Sequence, residues 1–124
     1  MATLLNFLSA IFFLSLMGQG SGQCYPVTDL KVFQTETGDR VQNKPQWKVT
    51  ILNDCICSQM GIKLGCNGFH SAEKIDPSML AKADDSVCHI NHEQPLRGFH
   101  TFNFTYAWDS IYPFHPIYSE IACS

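Results

Sequence analysis

The sequence predicts an all-β protein: a small, disulfide-stapled antiparallel β-sandwich of about six or seven strands, following an N-terminal signal peptide. Three observations lead to this fold class. Short runs alternate apolar and polar residues, which is the period of a strand with one buried face. Gly, Pro, Asn and Asp separate these runs at turn-like positions. All six cysteines follow residue 23, in a chain too short to depend on a large core.

The N-terminal segment has the composition of a secretory signal peptide. The first 28 residues contain no Asp, Glu, Lys or Arg, and residues 4–17 form an apolar run followed by small residues at 18–22. The run is shorter than the roughly 18 residues that a membrane-spanning helix needs. We therefore predict a signal peptide over residues 1–22 and one cysteine-rich domain over residues 23–124, secreted and without membrane insertion after cleavage.

In the first half of the domain, alternation predicts two strands. Residues 29–34 form the first, and the Thr-Gly-Asp sequence at 37–39 predicts a turn after it. The Asn-Lys-Pro sequence at 43–45 should break any continuing strand. Residues 47–53 form the clearest early strand, with Trp47, Val49 and Ile51 on one face.

The middle of the domain contains two shorter strands and a long connection. Residues 62–66 alternate and end at the turn dipeptide Asn67-Gly68. Residues 70–86 are the least regular part, so they form either a packed loop or a binding loop, with one helical turn at 78–83. Residues 87–90 form a short strand, followed by a turn near 93–98.

The last third of the chain carries the strongest strand signal, at residues 99–108. Its aromatic face should be buried and its polar face solvated; the aromatic face consists of Phe102, Phe104, Tyr106 and Trp108. The sequence Asn103-Phe104-Thr105 is a glycosylation sequon on the polar face, where a glycan fits. Residues 112–116 contain two prolines and cannot form an interior strand, and residues 117–123 close the domain as a final strand.

The six cysteines should form disulfides, since an even count in a short secreted chain is typical of a disulfide framework. They are Cys24, Cys55, Cys57, Cys66, Cys88 and Cys123. Cys55 and Cys57 are too close in sequence to bond each other easily, so each is expected to bond a distant cysteine. The pairing stays open, because six cysteines allow fifteen connectivities. The segment around Cys55 and Cys57 is the predicted organising corner of the domain.

The same residues give no metal site and no cofactor site. Oxidised cysteines are not metal ligands, and the secretory context favours oxidation. His89 and His92 stand three residues apart across a turn, which is not a ligand pattern.

The carboxylates give no catalytic pattern either. Asp84 and Asp85 are adjacent and point apart in an extended chain, so Asp84-Asp85-Ser86 is expected to satisfy backbone donors in a turn. Asp109 and Glu120 can approach each other if they lie on neighbouring strands, but nothing in the sequence requires it. Neither a Ser-His-Asp nor a Cys-His motif is present, and the chain is therefore predicted not to be an enzyme.

Charge and aromatic content bear on the partners. The net charge is −3 and the Lys and Arg residues are scattered, which argues against nucleic acid as a partner. Sugar-binding modules stack pyranose rings on exposed aromatic side chains, for which the candidates are Trp47, Trp108, Tyr112 and Tyr118. Both tryptophans sit in apolar alternations, which favours the core for them.

Several landmarks together resemble the plant tapetum determinant family. They are Cys-Ile-Cys-Ser-Gln at 55–59, Cys-Asn-Gly-Phe at 66–69, Ile-Asp-Pro at 75–77, Cys88, Gln-Pro-Leu at 94–96, Phe-Thr-Tyr-Ala-Trp at 104–108, and residues 119–123. The resemblance covers nearly all of the domain, from Cys24 to Ser124. Members of this family are small secreted cysteine-rich proteins, and the founding type is regarded as a ligand of a leucine-rich-repeat receptor kinase that sets anther cell fate. A weaker likeness, in strand order, is to sugar-binding modules of some plant cellulases.

The resemblance implies a secreted, non-enzymatic signalling protein in the apoplast, acting on a receptor kinase ectodomain in cell-fate specification. The alternative is a module that binds cell-wall polysaccharide, without catalytic activity. Residues 70–86 are the candidate binding loop, and the sequence assigns no individual residue to a receptor or a glycan.

Overall fold

The computed structural model describes residues 24–123; the predicted signal peptide lies outside this range. Within it, the predicted all-β fold is confirmed. The strands are β1 (Leu30–Val41), β2 (Lys44–Asn53), β3 (Ser58–Gly65), β4 (Leu80–Lys82), β5 (Val87–Ile90), β6 (Thr101–Ala107) and β7 (His115–Ala122). A single 3-10 turn, Asn91–Glu93, follows β5. No helix in this part of the chain is long and apolar enough to cross a membrane.

The strands form two antiparallel sheets around a common core. The three-stranded sheet has the order β1-β2-β6, and the four-stranded sheet has the order β4-β5-β3-β7. Both contribute one face to a single apolar cluster, as expected of alternating strands. The cluster consists of Leu30, Val49, Ile51, Ile62, Leu64, Cys66, Phe69, Leu80, Cys88, Ile90, Leu96, Phe104, Tyr106 and Phe114.

The first hairpin turns later than the sequence predicts. Val41 pairs with Lys44, so the loop between β1 and β2 has only two residues, Gln42 and Asn43, at φ 48° and 67°. Two positive φ angles are the signature of a type I′ turn, whose twist matches that of the paired strands. The sequence does not predict this turn, because the two-residue loop lacks the glycine that type I′ turns favour.

The predicted turn at residues 37–39 is wrong. This segment lies inside β1, where the pairing register with β2 shifts between Glu36 and Arg40 and Gly38 adopts φ 94°. Glycine therefore marks a bulge rather than a reversal of the chain. The predicted break of the first strand near residues 43–45 is confirmed, since β1 ends at Val41, the chain reverses at Gln42 and Asn43, and β2 begins at Lys44. Pro45 is tolerated because it stands at the start of the strand.

The predicted helical turn at residues 78–83 is wrong as well. Met79 N–H donates to Asp76 O at 2.8 Å, and the chain then enters β4, which pairs with β5. The turn between these strands forms as predicted: Asp84 Oδ1 accepts hydrogen bonds from the backbone N–H groups of Ser86 (2.8 Å) and Val87 (3.0 Å).

Residues 71–73 pack along β6 and cover part of its polar face. Ala72 N–H donates to Ala107 O at 2.8 Å. Because β6 is an edge strand of the three-stranded sheet, this hydrogen bond satisfies a carbonyl group at the open edge. The Glu73 carboxylate accepts hydrogen bonds from Gln46 Nε2 (2.7 Å) and Thr105 Oγ1 (2.6 Å). The expectation that this face is fully solvated is therefore wrong: Thr105 is half-buried because a remote loop supplies its partner.

The last strand lies at an edge. β7 begins at His115, two residues before the predicted start, and pairs only with β3. Pro116 is compatible with this edge position, so the prediction that the proline-containing segment is not an interior strand holds.

Candidate interaction surface

Two disulfides meet at the segment between β2 and β3. Cys55 bonds Cys24 and Cys57 bonds Cys123, with Cα–Cα distances of 5.6 and 4.5 Å. Each cysteine of the pair thus bonds a distant partner, and the corner ties down both ends of the domain. The third disulfide, Cys66–Cys88, joins the end of β3 to β5 with a Cα–Cα distance of 5.9 Å.

A buried polar network lies directly beneath this corner. Ser119 Oγ donates to Gln59 Oε1 at 2.8 Å, and Gln59 Nε2 donates to Asn53 Oδ1 at 2.8 Å. Asn53 Nδ2 then donates to Cys57 O (2.8 Å) and Leu96 O (2.9 Å). All three polar side chains are buried, so their hydrogen bonds replace those that water would make.

The sequence does not predict this network. Its one available signal is Asn53, which continues the apolar alternation of Val49 and Ile51 and so places an amide where a core side chain is expected. Gln59 and Ser119 lie 60 residues apart, and no local pattern connects them.

Residues 96–100 run beside the corner and are fixed to it by backbone hydrogen bonds. Phe99 N–H donates to Asn53 O at 2.8 Å, and Asn53 N–H donates to His100 O at 3.0 Å. Gly98 is required here, since a Cβ at this position would collide with the carbonyl groups of Cys55 and Ile56. Phe99 itself adopts φ 61°, a region that bulky side chains rarely occupy.

These two loops carry the two most exposed large apolar side chains of the described residues. Ile56 is 64% exposed and Phe99 is 61% exposed. We refer to Ile56 and Phe99 as the corner patch. Tyr25, which is 56% exposed, follows Cys24 and is therefore held near the same corner by the Cys24–Cys55 disulfide.

The metal-ligand candidates form no reactive centre. The only cluster of possible ligands among residues 24–123 consists of the sulfur atoms of Cys24, Cys55 and Cys57, which lie within 4.8 Å of one another. All three sulfurs are in disulfides, so they offer no thiolate to a metal ion. His89 is half-buried in β5, where its Nδ1 is enclosed without a hydrogen-bond partner, and His92 is exposed.

The carboxylates predicted as a possible pair are not brought together. Asp109 follows β6 and forms an ion pair with Lys44 at 2.7 Å. Glu120 lies in β7, in the other sheet, where its Oε1 accepts a hydrogen bond from Tyr118 Oη at 2.6 Å. That bond, which stabilises the neutral phenol, is the main reason that the pKa of Tyr118 is raised.

The four aromatic candidates for sugar stacking do not share one face. Trp47 and Trp108 are half-buried against the core, and Trp47 Nε1 donates to Trp108 O at 3.3 Å. Tyr112 packs edge-on against Phe69, with ring centroids 5.3 Å apart. Tyr118 belongs to the other sheet, and Lys63 Nζ lies 4.6 Å from its ring centroid.

The sequon asparagine is half-buried in the middle of β6, opposite Thr50 of β2. Asn103 Oδ1 is enclosed and has no hydrogen-bond partner within the described structure. Glycosylation of Asn103 remains a prediction, which the mass of the secreted protein before and after glycosidase treatment tests.

The arrangement of cysteines and landmarks has a match among known protein families. A family model described as "Tapetum determinant 1, C-terminal" matches residues 27–124. The chain belongs to the tapetum determinant family. No curated protein and no solved structure matches it. Membership of this family and a small, disulfide-rich fold fit a secreted signalling protein.

Proposed function

We propose that this protein is a secreted, non-enzymatic ligand of a leucine-rich-repeat receptor kinase, acting in the apoplast in cell-fate specification. The observation that carries the proposal is the match of the tapetum determinant family model to residues 27–124, which cover almost the whole predicted domain. The tapetum determinant family is of a signalling type, and the predicted signal peptide would deliver the protein to the cell exterior.

The construction of the domain supports this role. Two disulfides and a buried polar network fix the corner at which both ends of the domain are tied, and a third disulfide joins the end of β3 to β5. A domain whose loops are ordered before binding loses little conformational entropy when it meets its partner. Such a surface suits a ligand that must be recognised intact by a receptor ectodomain.

Binding to purified receptor ectodomains tests the proposal. The oxidised protein, secreted from a eukaryotic host, is titrated by calorimetry against a panel of leucine-rich-repeat ectodomains. We expect saturable binding to at least one of them, and we expect reduction and alkylation of the six cysteines to abolish it, because the contact surface depends on the disulfides.

Two results would count against the proposal. One is silence across the panel while an unrelated, known ligand–receptor pair binds normally in the same assay. The other is retention of the protein on cellulose or other wall polysaccharides in the absence of receptor binding, which would favour the polysaccharide-binding alternative.

A further inference from the structure

We propose that Asn103 carries an N-linked glycan that lies against the outer face of the three-stranded sheet. Its N-acetylglucosamine residues pass over Thr50 and pack on the ring of Phe33. The glycan thereby covers an exposed aromatic side chain of the same molecule. Neither this surface nor its test involves a receptor, so the proposed function can fail while the glycan contact stands, and the reverse.

Asn103, Thr50 and Phe33 form one row across the three strands of the sheet. Asn103 of β6 is paired with Thr50 of β2, and Thr50 is paired in turn with Phe33 of β1. Paired residues project from the same face of a sheet, and neighbouring strands lie about 4.8 Å apart. The backbone of Phe33 therefore lies roughly 10 Å from that of Asn103, a distance that two linked pyranose rings span.

The amide of Asn103 is oriented for attachment of a sugar. Asn103 begins the sequon that Thr105 completes. Its Oδ1 atom is enclosed, whereas its Nδ2 atom, to which the sugar is linked, is not. The glycan thus leaves the domain from the middle of a strand and not from a loop, so its first sugars start beside the side chains of the neighbouring strand.

The fold closes one direction to the glycan and leaves another open. Thr105, the next residue of β6 on this face, donates a hydrogen bond from Oγ1 to Glu73 at 2.6 Å. Residues 71–73 therefore cover β6 on the C-terminal side of Asn103. In the direction across the sheet stands Thr50, whose short side chain leaves room for a sugar ring between Asn103 and β1.

Phe33 provides the apolar surface on which the sugar packs. It is 54% exposed. Its neighbours Val32 and Gln34 project to the other face, where Val32 packs against the core and Gln34 Oε1 accepts a hydrogen bond from Tyr106 Oη at 2.6 Å. The axial C–H groups of a pyranose form an apolar face that packs on an aromatic ring and removes it from water. Covalent attachment gives the sugar a high effective concentration at this ring, so even a weak contact is occupied.

A thermodynamic cycle on the protein secreted from a eukaryotic host tests the proposal. Phe33→Ser is made in the glycosylated protein and in Asn103→Gln, which lacks the sequon. We expect Phe33→Ser to lower the melting temperature of the glycosylated protein by about 4 °C more than that of the Asn103→Gln protein. Ile117→Ser is the control, because Ile117 is an exposed apolar residue on β7 of the other sheet. Its effect should differ between the two backgrounds by less than about 2 °C.

A second measurement does not depend on the folding of Asn103→Gln. In NMR spectra of the glycosylated protein, we expect nuclear Overhauser contacts between the ring protons of Phe33 and protons of the N-acetylglucosamine residues. Their loss in Phe33→Ser assigns them to this ring. Phe33→Tyr keeps an aromatic ring and should retain both the sugar contacts and the melting temperature of the glycosylated protein.

Four results would overturn the proposal. The first is an intact mass that shows no glycan on Asn103 of the secreted protein. The second is an equal effect of Phe33→Ser with and without the glycan, and the third is the absence of sugar contacts to the Phe33 ring, since either means that the glycan extends into solvent. The fourth is a dimer of the glycosylated protein, seen by sedimentation, that Phe33→Ser converts to a monomer, because a second copy of the chain then covers Phe33.

Discussion

Single buried side chains have large effects in a domain of this size. Gln59 is completely enclosed and joins Asn53 to Ser119. In Gln59→Leu both partners lose a hydrogen bond, and each unsatisfied buried group costs about 1–3 kcal/mol. We expect the free energy of unfolding to fall by about 2–5 kcal/mol, measured by chemical denaturation without reductant.

Gln94→Leu is the control for this measurement. Gln94 is exposed, so the same change of side chain there should alter the free energy of unfolding by less than about 0.5 kcal/mol. Equal stability of both variants would contradict the role assigned to the buried network.

Acid sensitivity should come partly from the turn carboxylate Asp84. The pKa of Asp84 is lowered below 3.8, mainly because its carboxylate accepts a hydrogen bond from the backbone N–H of Ser86. A carboxyl with a lowered pKa in the folded state stabilises the fold above pH 3.8, and this contribution is lost as the pH falls below that value. Asp84→Asn should therefore flatten the fall in stability below about pH 4.

Melting temperatures between pH 7 and pH 2.5 measure this effect, with Asp85→Asn as the control. Asp85 is exposed and adjacent, but the turn hydrogen bonds go to Asp84. An acid profile unchanged in Asp84→Asn would contradict the assignment.

At this scale the sequence predicts local contacts and misses remote ones. The Asp84 turn follows from three consecutive residues, because an aspartate bonds backbone groups two and three positions ahead. The Gln59–Ser119 bond spans 60 residues, and the exposure of Phe99 depends on how residues 96–100 meet the Cys55–Cys57 corner. Neither is present in any local pattern.

Among the elements, the first hairpin is the clearest candidate for improvement. Gln42 and Asn43 form a two-residue loop with φ angles of 48° and 67°, and type I′ loops favour Asn-Gly at these positions. The double variant Gln42→Asn, Asn43→Gly should raise the free energy of unfolding by about 1 kcal/mol. The reason is that a left-handed backbone conformation costs a non-glycine residue about 1–2 kcal/mol.

Thermal melts check this prediction. The double variant Gln42→Ala, Asn43→Ala should melt below the unmodified protein, because alanine has no preference for positive φ. A melting temperature of the Asn-Gly variant at or below that of the unmodified protein would contradict the assigned turn type.

The sequence predicts a strand correctly where the alternation of apolar and polar residues within that strand is enough to show which face is buried. Residues 47–53 and 87–90 are strands as expected, because their buried faces appear in their own sequence. The helical turn predicted at 78–83 failed because β4 has three residues and exists only through its pairing with β5. The turn predicted at Gly38 failed because glycine serves a bulge as well as a turn.

For the whole molecule, the disulfides should differ in their contribution to stability. Cys57–Cys123 spans 66 residues and Cys66–Cys88 spans 22. The chain-entropy model assigns about 4 kcal/mol to the longer loop and about 3 kcal/mol to the shorter one. The paired variant Cys57→Ser, Cys123→Ser should therefore unfold at lower denaturant than Cys66→Ser, Cys88→Ser.

Denaturation midpoints of the two paired variants, compared under identical non-reducing conditions, measure this order. The reverse order would mean that packing around the Cys66–Cys88 disulfide, which is fully buried, outweighs the length of the chain it closes.

Because Cys24 and Cys123 are bonded to positions only two residues apart, both ends of the domain leave it at one pole. An affinity tag or fluorophore fused directly before Cys24 or directly after Cys123 therefore lies next to the Cys55–Cys57 segment and obstructs it by its bulk. Insertion of a label between Gln42 and Asn43, at the far end of the 12-residue strand β1, leaves the pole clear and is the better site for immobilising the protein on a sensor surface.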